Sequence, residues 1–241
     1  MKNKFIVLSD IHFPYHDDKA LKAVYKFLEQ HPVDTIILNG DILDFYDVSS
    51  FDKDPDRINS LQEEINLAQK FFKKLRDLSP KSRIVFVKGN HSSRLERYLK
   101  KHPELYSLDV LKLPNLLGLD KFNIEYKDKG FKLGSLKIIH GTIVRKFSGY
   151  TARAEMEKND CSGISGHTHR LAVYYKRTPS RDLMWAESGC LCDLNPEYVE
   201  CPSWTQGFLY GIVERDSFSI APLPIVKGKV KSPLLDEVAD G

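Results

Sequence analysis

Residues 5–12 read FIVLSDIH: a short apolar run, then a turn carrying a carboxylate and an imidazole two positions apart. The same order recurs at 35–44, TIILNGDILD, and at 83–91, RIVFVKGNH. Between the first two runs, Leu21, Val24, Tyr25 and Leu28 fall at i, i+3, i+4 and i+7, one face of a helix. Between the second and third, Ile58, Leu61, Ile65, Ala68, Phe72 and Leu75 step by three and four over a longer span. The resulting β-α-β-α-β order predicts parallel strands joined by helical crossovers. Ser92 to Lys101 is expected to be helical, with Ser93 and Glu96 at capping-box spacing and Leu95, Tyr98 and Leu99 on its apolar face.

From Phe122 onward the pattern turns strand-rich, with runs at 122–126, 131–133, 136–140, 163–165, 171–175, 183–187, 208–213 and 218–220 and one helix over 153–158. Antiparallel pairing is expected to dominate there. Two sheets, one from each half of the chain, would then pack face to face with helices outside. Residues 1–225 read as a single domain and 226–241 as a polar, loosely held tail.

Composition narrows the classes. The 241 residues are 41% hydrophobic and 29% charged, enough to bury a core without disulfides. Lys and Arg number 36 against 33 Asp and Glu, so a net +3 gives no bulk attraction to nucleic acid or membrane. Cys161, Cys190, Cys192 and Cys201 show no C-x-x-C spacing and read as reduced thiols. The apolar start at 5–8 is too short for a signal-peptide core and no stretch approaches a membrane span, so a cytoplasmic setting is expected.

Function is concentrated at strand ends. Asp10 and His12 follow the first strand, Gly40, Asp41 and Asp44 the second, and Gly89, Asn90 and His91 the third. Carboxyl ends of parallel strands are where open α/β sheets place their ligands. His140 then ends an apolar strand, and His167 and His169 stand two apart in a Gly-His-Thr-His turn. Each cluster alone has a plainer explanation, as a loop cap or a core histidine. Together, carboxylate and amide oxygens with imidazole nitrogens suit borderline divalent metals, and their number implies two ions. His16, His31 and His102 lack a second ligand type at a strand end and stay outside this set.

The motif order D-x-H, G-D-x-x-D, G-N-H, H, G-H-x-H, running from Asp10 to His169, resembles the calcineurin-like metallophosphoesterase family. That resemblance implies an α/β fold, a four-layer α-β-β-α sandwich of two mixed sheets. It also implies that Asp10, His12 and His169 hold one metal, that Asn90, His140 and His167 hold the other, and that Asp41 bridges them. Manganese is expected foremost, with iron, zinc, nickel or cobalt accepted by the same donors. His91, not counted among the ligands, would donate to the leaving oxygen, and Asp44 would orient it. Many relatives carry Asp or Glu after G-N-H, whereas this chain has Ser92.

The expected reaction is hydrolysis of a P–O ester by hydroxide generated between two metals. A phosphodiester of a nucleotide or nucleic acid is the first expectation, because His91 can protonate a poor leaving group and Arg145 to Arg153 is basic. A phosphomonoester is the alternative. A catalytically silent scaffold of the same fold is the rival from another class, and it would show a replaced ligand or a missing His91. Arg94, Arg145 and Arg153 are candidate substrate contacts. The acidic segment 41–57 and the aromatics Tyr198 and Trp204 are candidate pocket walls. No membrane partner is expected, and nothing in the pattern selects an oligomeric state.

Overall fold

A computed structural model describes residues 2–53, 60–196, 202–215 and 217–232. Its helices are α1 (Asp18–Gln30), α2 (Leu61–Leu78), α3 (Ser92–Lys101), α4 (Pro103–Tyr106), α5 (Leu113–Leu117) and α6 (Tyr150–Asn159). Strands β1 (Asn3–Leu8), β2 (Thr35–Asn39), β3 (Arg83–Val87) and β4 (Ile124–Lys127) run parallel in the order β1-β2-β3-β4. Three more strands, β10 (Gly207–Val213), β11 (Phe218–Val226) and β12 (Lys229–Val230), extend that sheet antiparallel beyond β1. The second sheet has the order β5-β6-β7-β9-β8, from β5 (Phe131–Leu133), β6 (Leu136–Ile138), β7 (Gly163–Ser165), β8 (Leu171–Arg177) and β9 (Asp182–Ser188). Its β6-β7 and β7-β9 pairs are parallel and its outer pairs antiparallel.

The alternation of side chains along each strand builds the layers. Ile6, Leu8, Ile36, Leu38, Ile84 and Phe86 face α1 and α2, where they meet Val24, Phe27, Phe72 and Leu75 in the larger core. Phe5, Val7, Ile37, Val85 and Val87 point the other way and pack on Ile138, Ile164, Met184 and Ala186 of the second sheet. Trp185, on the far side of that sheet, closes on Ala152 and Met156 of α6. The result is the four-layer α-β-β-α sandwich of two mixed sheets.

Three expectations need correction. The sheets do not divide the chain into halves, because β10 returns to pair antiparallel with β1 and β4 joins β3 in the first sheet. Antiparallel pairing does dominate beyond Phe122, in five of the eight strand pairs among the described residues, the β3-β4, β6-β7 and β7-β9 pairs being parallel. Val226 still belongs to β11, and Val230 of β12 packs against the larger core, so the ordered chain runs past the expected tail boundary. Residues 233–241 of that tail lie outside the described residues, as does Ile58 of the second helical stripe. Finally, α3 has no side-chain cap: Glu96 binds Lys88 at 2.6 Å and Lys100 at 2.6 Å instead of closing a box with Ser93. Among the described residues no helix is long and apolar enough to cross a membrane.

Candidate metal centre

β1, β2 and β3 end side by side, and β6 and β7 end beside them across the sandwich. The turns after these five strands carry the predicted residues to one place. Main-chain bonds from Asp10 to Gly40, from Ile11 and His12 to Asp41, and from Phe13 to Ile42 lace the first two turns together. Asp10, His12, Asp41, His167 and His169 all have positive φ, between 48° and 73°. Such conformations cost non-glycine residues about 1–3 kcal/mol each and persist only where surrounding structure enforces them. Gly89 has a separate reason: a Cβ there would stand 2.1 Å from Asp41 Oδ1, so only glycine lets the third turn approach that carboxylate.

Two groups of donor atoms result. His12 Nε2 lies 3.1 Å from His169 Nε2, and Asp10 Oδ1 lies 3.4 Å from the latter. Asp10 is fully buried, yet its Oδ1 has no hydrogen-bond partner. In the other group, His140 Nε2 faces Asp41 Oδ2 at 3.0 Å and Asn90 Oδ1 at 2.9 Å. His167 approaches the Asp41 and His140 donors closely enough to share an ion. Asp41 Oδ1, meanwhile, accepts the His91 main-chain N–H at 2.8 Å.

These residues fit divalent cations. His140 Nδ1 donates to the Asn39 carbonyl at 2.8 Å and His12 Nδ1 donates to Asp44 Oδ1 at 3.0 Å, because neither oxygen can donate. In the neutral rings Nε2 is therefore a lone pair in each case, aimed at oxygens or at another imidazole nitrogen. Acceptors converging on acceptors, with an orphaned buried carboxylate oxygen beside them, require positive charge. In the metal-free protein protons supply it. Burial works to lower the histidines, but the Asp41 carboxylate holds His140 up at about 9 and Asp10 holds His169 up at about 9. Against their own burial, the facing imidazoles keep Asp10 and Asp41 well below the usual carboxylate range. His167 differs, since burial and the neighbouring His140 both lower it.

A model of calcineurin-like phosphoesterases matches residues 3–199. The chain belongs to that family. Relatives of this chain include the Gene 54 protein of Mycobacterium phage D29, 29% identical over 251 residues, covering 95% of this chain and 96% of the relative. The Gene 54 protein of Mycobacterium phage L5 is 26% identical over 248 residues at the same coverage. Among solved structures, Vps29 from Cryptosporidium parvum superposes with a TM-score of 0.52 at 13% identity, covering 95% of each chain. A Vps29 single mutant from Entamoeba histolytica gives 0.51 at 16% identity, covering 95% of this chain and 96% of the other. These two likenesses show the phosphoesterase fold.

Beside the metal residues, Asp44 Oδ1 lies 3.0 Å from the Nδ1 of His12 and 3.0 Å from that of His91. It thus orients the expected proton donor and also a metal-group histidine, a second bond the sequence did not disclose. Arg94 Nη1 donates to Asp44 Oδ2 at 3.1 Å, and its Nη2 donates to His91 Nε2 at 3.0 Å. Ser92 takes no part: its hydroxyl is buried without a partner, so Asp44 and Arg94 hold His91 from the other side. Arg153 does not join the site. Its guanidinium pairs with Glu157 at 2.9 Å on the exposed face of α6. Arg145 is exposed on the loop before α6, with its main chain tied to Thr151 and Arg170. Trp204 packs its ring 4.3 Å from that of His169. Tyr198, Cys201 and positions 54–57 of the acidic segment lie outside the described residues.

Sequence reasoning missed two supports. Cys192 Sγ lies 3.6 Å from His169 Nδ1, so its sulfur can accept a hydrogen bond from that N–H and leave Nε2 free for a metal. Contact with Cys190, together with burial, pushes the Cys192 thiol well up, which keeps it a neutral partner. Glu64 of α2 is buried and accepts the Phe45 N–H at 2.8 Å, fixing the turn that carries Asp44. Its signal was a carboxylate on the apolar stripe between Leu61 and Ala68.

Burial, aided by Asp44 and Asp47, raises Glu64 to about 8 against the opposing Phe45 bond. The folded form then keeps a proton that the unfolded chain releases near the ordinary glutamate value. Folding stability is expected to fall as pH rises from about 4.5 to about 8, by a few kcal/mol in all. Glu64→Gln keeps the carbonyl acceptor and is expected to remove that slope, measured by urea unfolding across this range. An unchanged slope would show that Glu64 ionises freely in the folded protein.

Proposed function

We propose that this protein is a metal-dependent phosphoesterase that hydrolyses a phosphodiester of a nucleotide or nucleic acid, with manganese as its foremost metal. The convergence of Asp10, His12 and His169 on one point and of Asp41, Asn90, His140 and His167 on an adjacent one carries this reading. Two divalent cations held there would neutralise phosphoryl charge and supply the nucleophile at neutral pH.

The protein's own groups do the rest. Asp41 keeps one oxygen on the His91 amide and offers the other beside His140, which suits it to stand between the two ions. Asp44 fixes His91 through Nδ1, leaving Nε2 as the atom that can pass a proton to the leaving oxygen. Arg94 occupies that Nε2 position in the structure described. When substrate binds, the Arg94 guanidinium is placed to turn from the imidazole to a phosphoryl oxygen, and the vacated Nε2 then takes a proton from solvent, forming the imidazolium that donates it to the leaving oxygen.

A silent scaffold is disfavoured because every donor and His91 stand in place. The test is hydrolysis of bis-p-nitrophenyl phosphate beside p-nitrophenyl phosphate by metal-stripped protein reconstituted with Mn, Ni, Co or Zn. Diester preference is expected. Monoester preference would assign a phosphomonoesterase, and silence on both with two metals bound would assign the scaffold.

A further inference from the structure

Arg94 closes one end of a cavity of about 130 Å³ between the loop at Val48 to Ser50 and α3. Its α3 wall is Arg94, Arg97, Tyr98 and Lys101. Spacing of three and four puts Arg94, Arg97 and Lys101 along one face, a strip ~10 Å long at 1.5 Å rise per residue. Arg97 and Lys101 are exposed and neither makes an ion pair among the described residues. No acid lines the cavity among the described residues, and of its three cations only Arg94 is paired, with Asp44, so the cavity carries unneutralised positive charge. Two aromatic rings border it: Phe51, 65% exposed, lies 5.5 Å from the Arg94 guanidinium, and Tyr98 is 38% exposed.

Another basic hollow, about 330 Å³ beside Asn90 and His140, is less suited to anions. There Lys88 is matched by Glu96 and Asp128, and two acids, Asp128 and Glu155, stand in the wall beside Lys129 and Lys158, whereas no acid lines the Arg97–Lys101 cavity.

Cations in a row with open aromatic faces are the features that track a single strand, charge on the backbone and rings on the bases. A strip of ~10 Å accommodates about three stacked nucleotides at ~3.4 Å each, whereas a monoester or a small diester has no group to reach it. We propose that the Arg97–Lys101 cavity is a subsite for the phosphodiester backbone of single-stranded nucleic acid on the leaving-group side of the metal centre. The side follows from the Arg94 bond to His91 Nε2 and so rests on the proposed role of His91.

The test is fluorescence anisotropy of a labelled single-stranded DNA 10-mer with metal-free protein, comparing wild type with the Arg97→Ala, Lys101→Ala double variant. Both positions are exposed on a helix and alanine favours helix, so the variant is expected to fold, which circular dichroism checks. The double variant is expected to bind the 10-mer at least 10-fold more weakly. Its dependence of log K on log salt should be shallower by about 1.4, two contacts at ~0.7 each. Hydrolysis of bis-p-nitrophenyl phosphate, which has no second phosphate, is the reference and should be unaltered. Equal 10-mer affinity in both proteins, or equal competition by pyrophosphate or by polyglutamate, would overturn the subsite. A wild type that hydrolyses the small diester but does not bind the 10-mer would also overturn it, leaving the phosphoesterase reading intact. Binding that depends on Arg97 and Lys101 in a protein silent on both esters would do the reverse.

Discussion

His91→Ala is expected to lower kcat roughly 10²–10⁴-fold on a diester with an alkoxide leaving group, the usual range for a positioned proton donor. The loss on bis-p-nitrophenyl phosphate should be far smaller, because p-nitrophenolate leaves without a proton. Metal content should stay at the wild-type level. Residue 91 bonds Asp41 through its main-chain N–H, which alanine keeps, while the imidazole bonds Asp44 and Arg94 and packs edge-on against the His12 ring, centroids 4.4 Å apart, without being one of the expected ligands. This leaving-group dependence separates a proton donor from a residue that merely shapes the site. Equal turnover on the alkoxide diester with both metals bound would remove His91 from the reaction.

Asp41→Asn is expected to act on metal binding itself. One carboxylate oxygen takes the His91 amide and the other stands 3.0 Å from His140 Nε2. An amide can present oxygen to only one of these partners and turns an N–H₂ donor to the other. If the oxygen stays on the His91 amide, the N–H₂ meets the cation; if it flips, two N–H groups oppose each other. Affinity for at least one ion should fall by roughly 100-fold or more, beyond the 10–100-fold typical of outer partners of a ligand. Elemental analysis after desalting reads the occupancy directly. Two ions retained at wild-type affinity would show that Asp41 is not between them.

The site was legible because its residues belong to a repeated local pattern. An apolar run followed by a polar turn can be read within ten residues, and five such turns meet once the strands align. β1, β2 and β3 fell where the apolar runs at 5–8, 35–38 and 83–87 placed them. What stayed hidden depends on distant partners. The run at 208–213 says strand, but nothing local says that it returns to β1 rather than joining β9. Asp44 reaches His12 across 32 residues and Cys192 reaches His169 across 23, through side chains that the turn pattern does not relate. Arg153 misled for the opposite reason: its local basic context suggested a substrate contact, while Glu157 four residues on had already claimed it. Glu96 shows the same competition, drawn to Lys88 and Lys100 rather than to a capping box.

The measurement that bears most directly on the central claim is a manganese titration of the metal-stripped protein, following bound metal and bis-p-nitrophenyl phosphate hydrolysis in the same samples. Two ions per chain are predicted, with hydrolysis rising as the second site fills. Activity that does not depend on added metal, or two bound ions with no hydrolysis of either p-nitrophenyl ester, would contradict a metal-dependent phosphoesterase built on these residues.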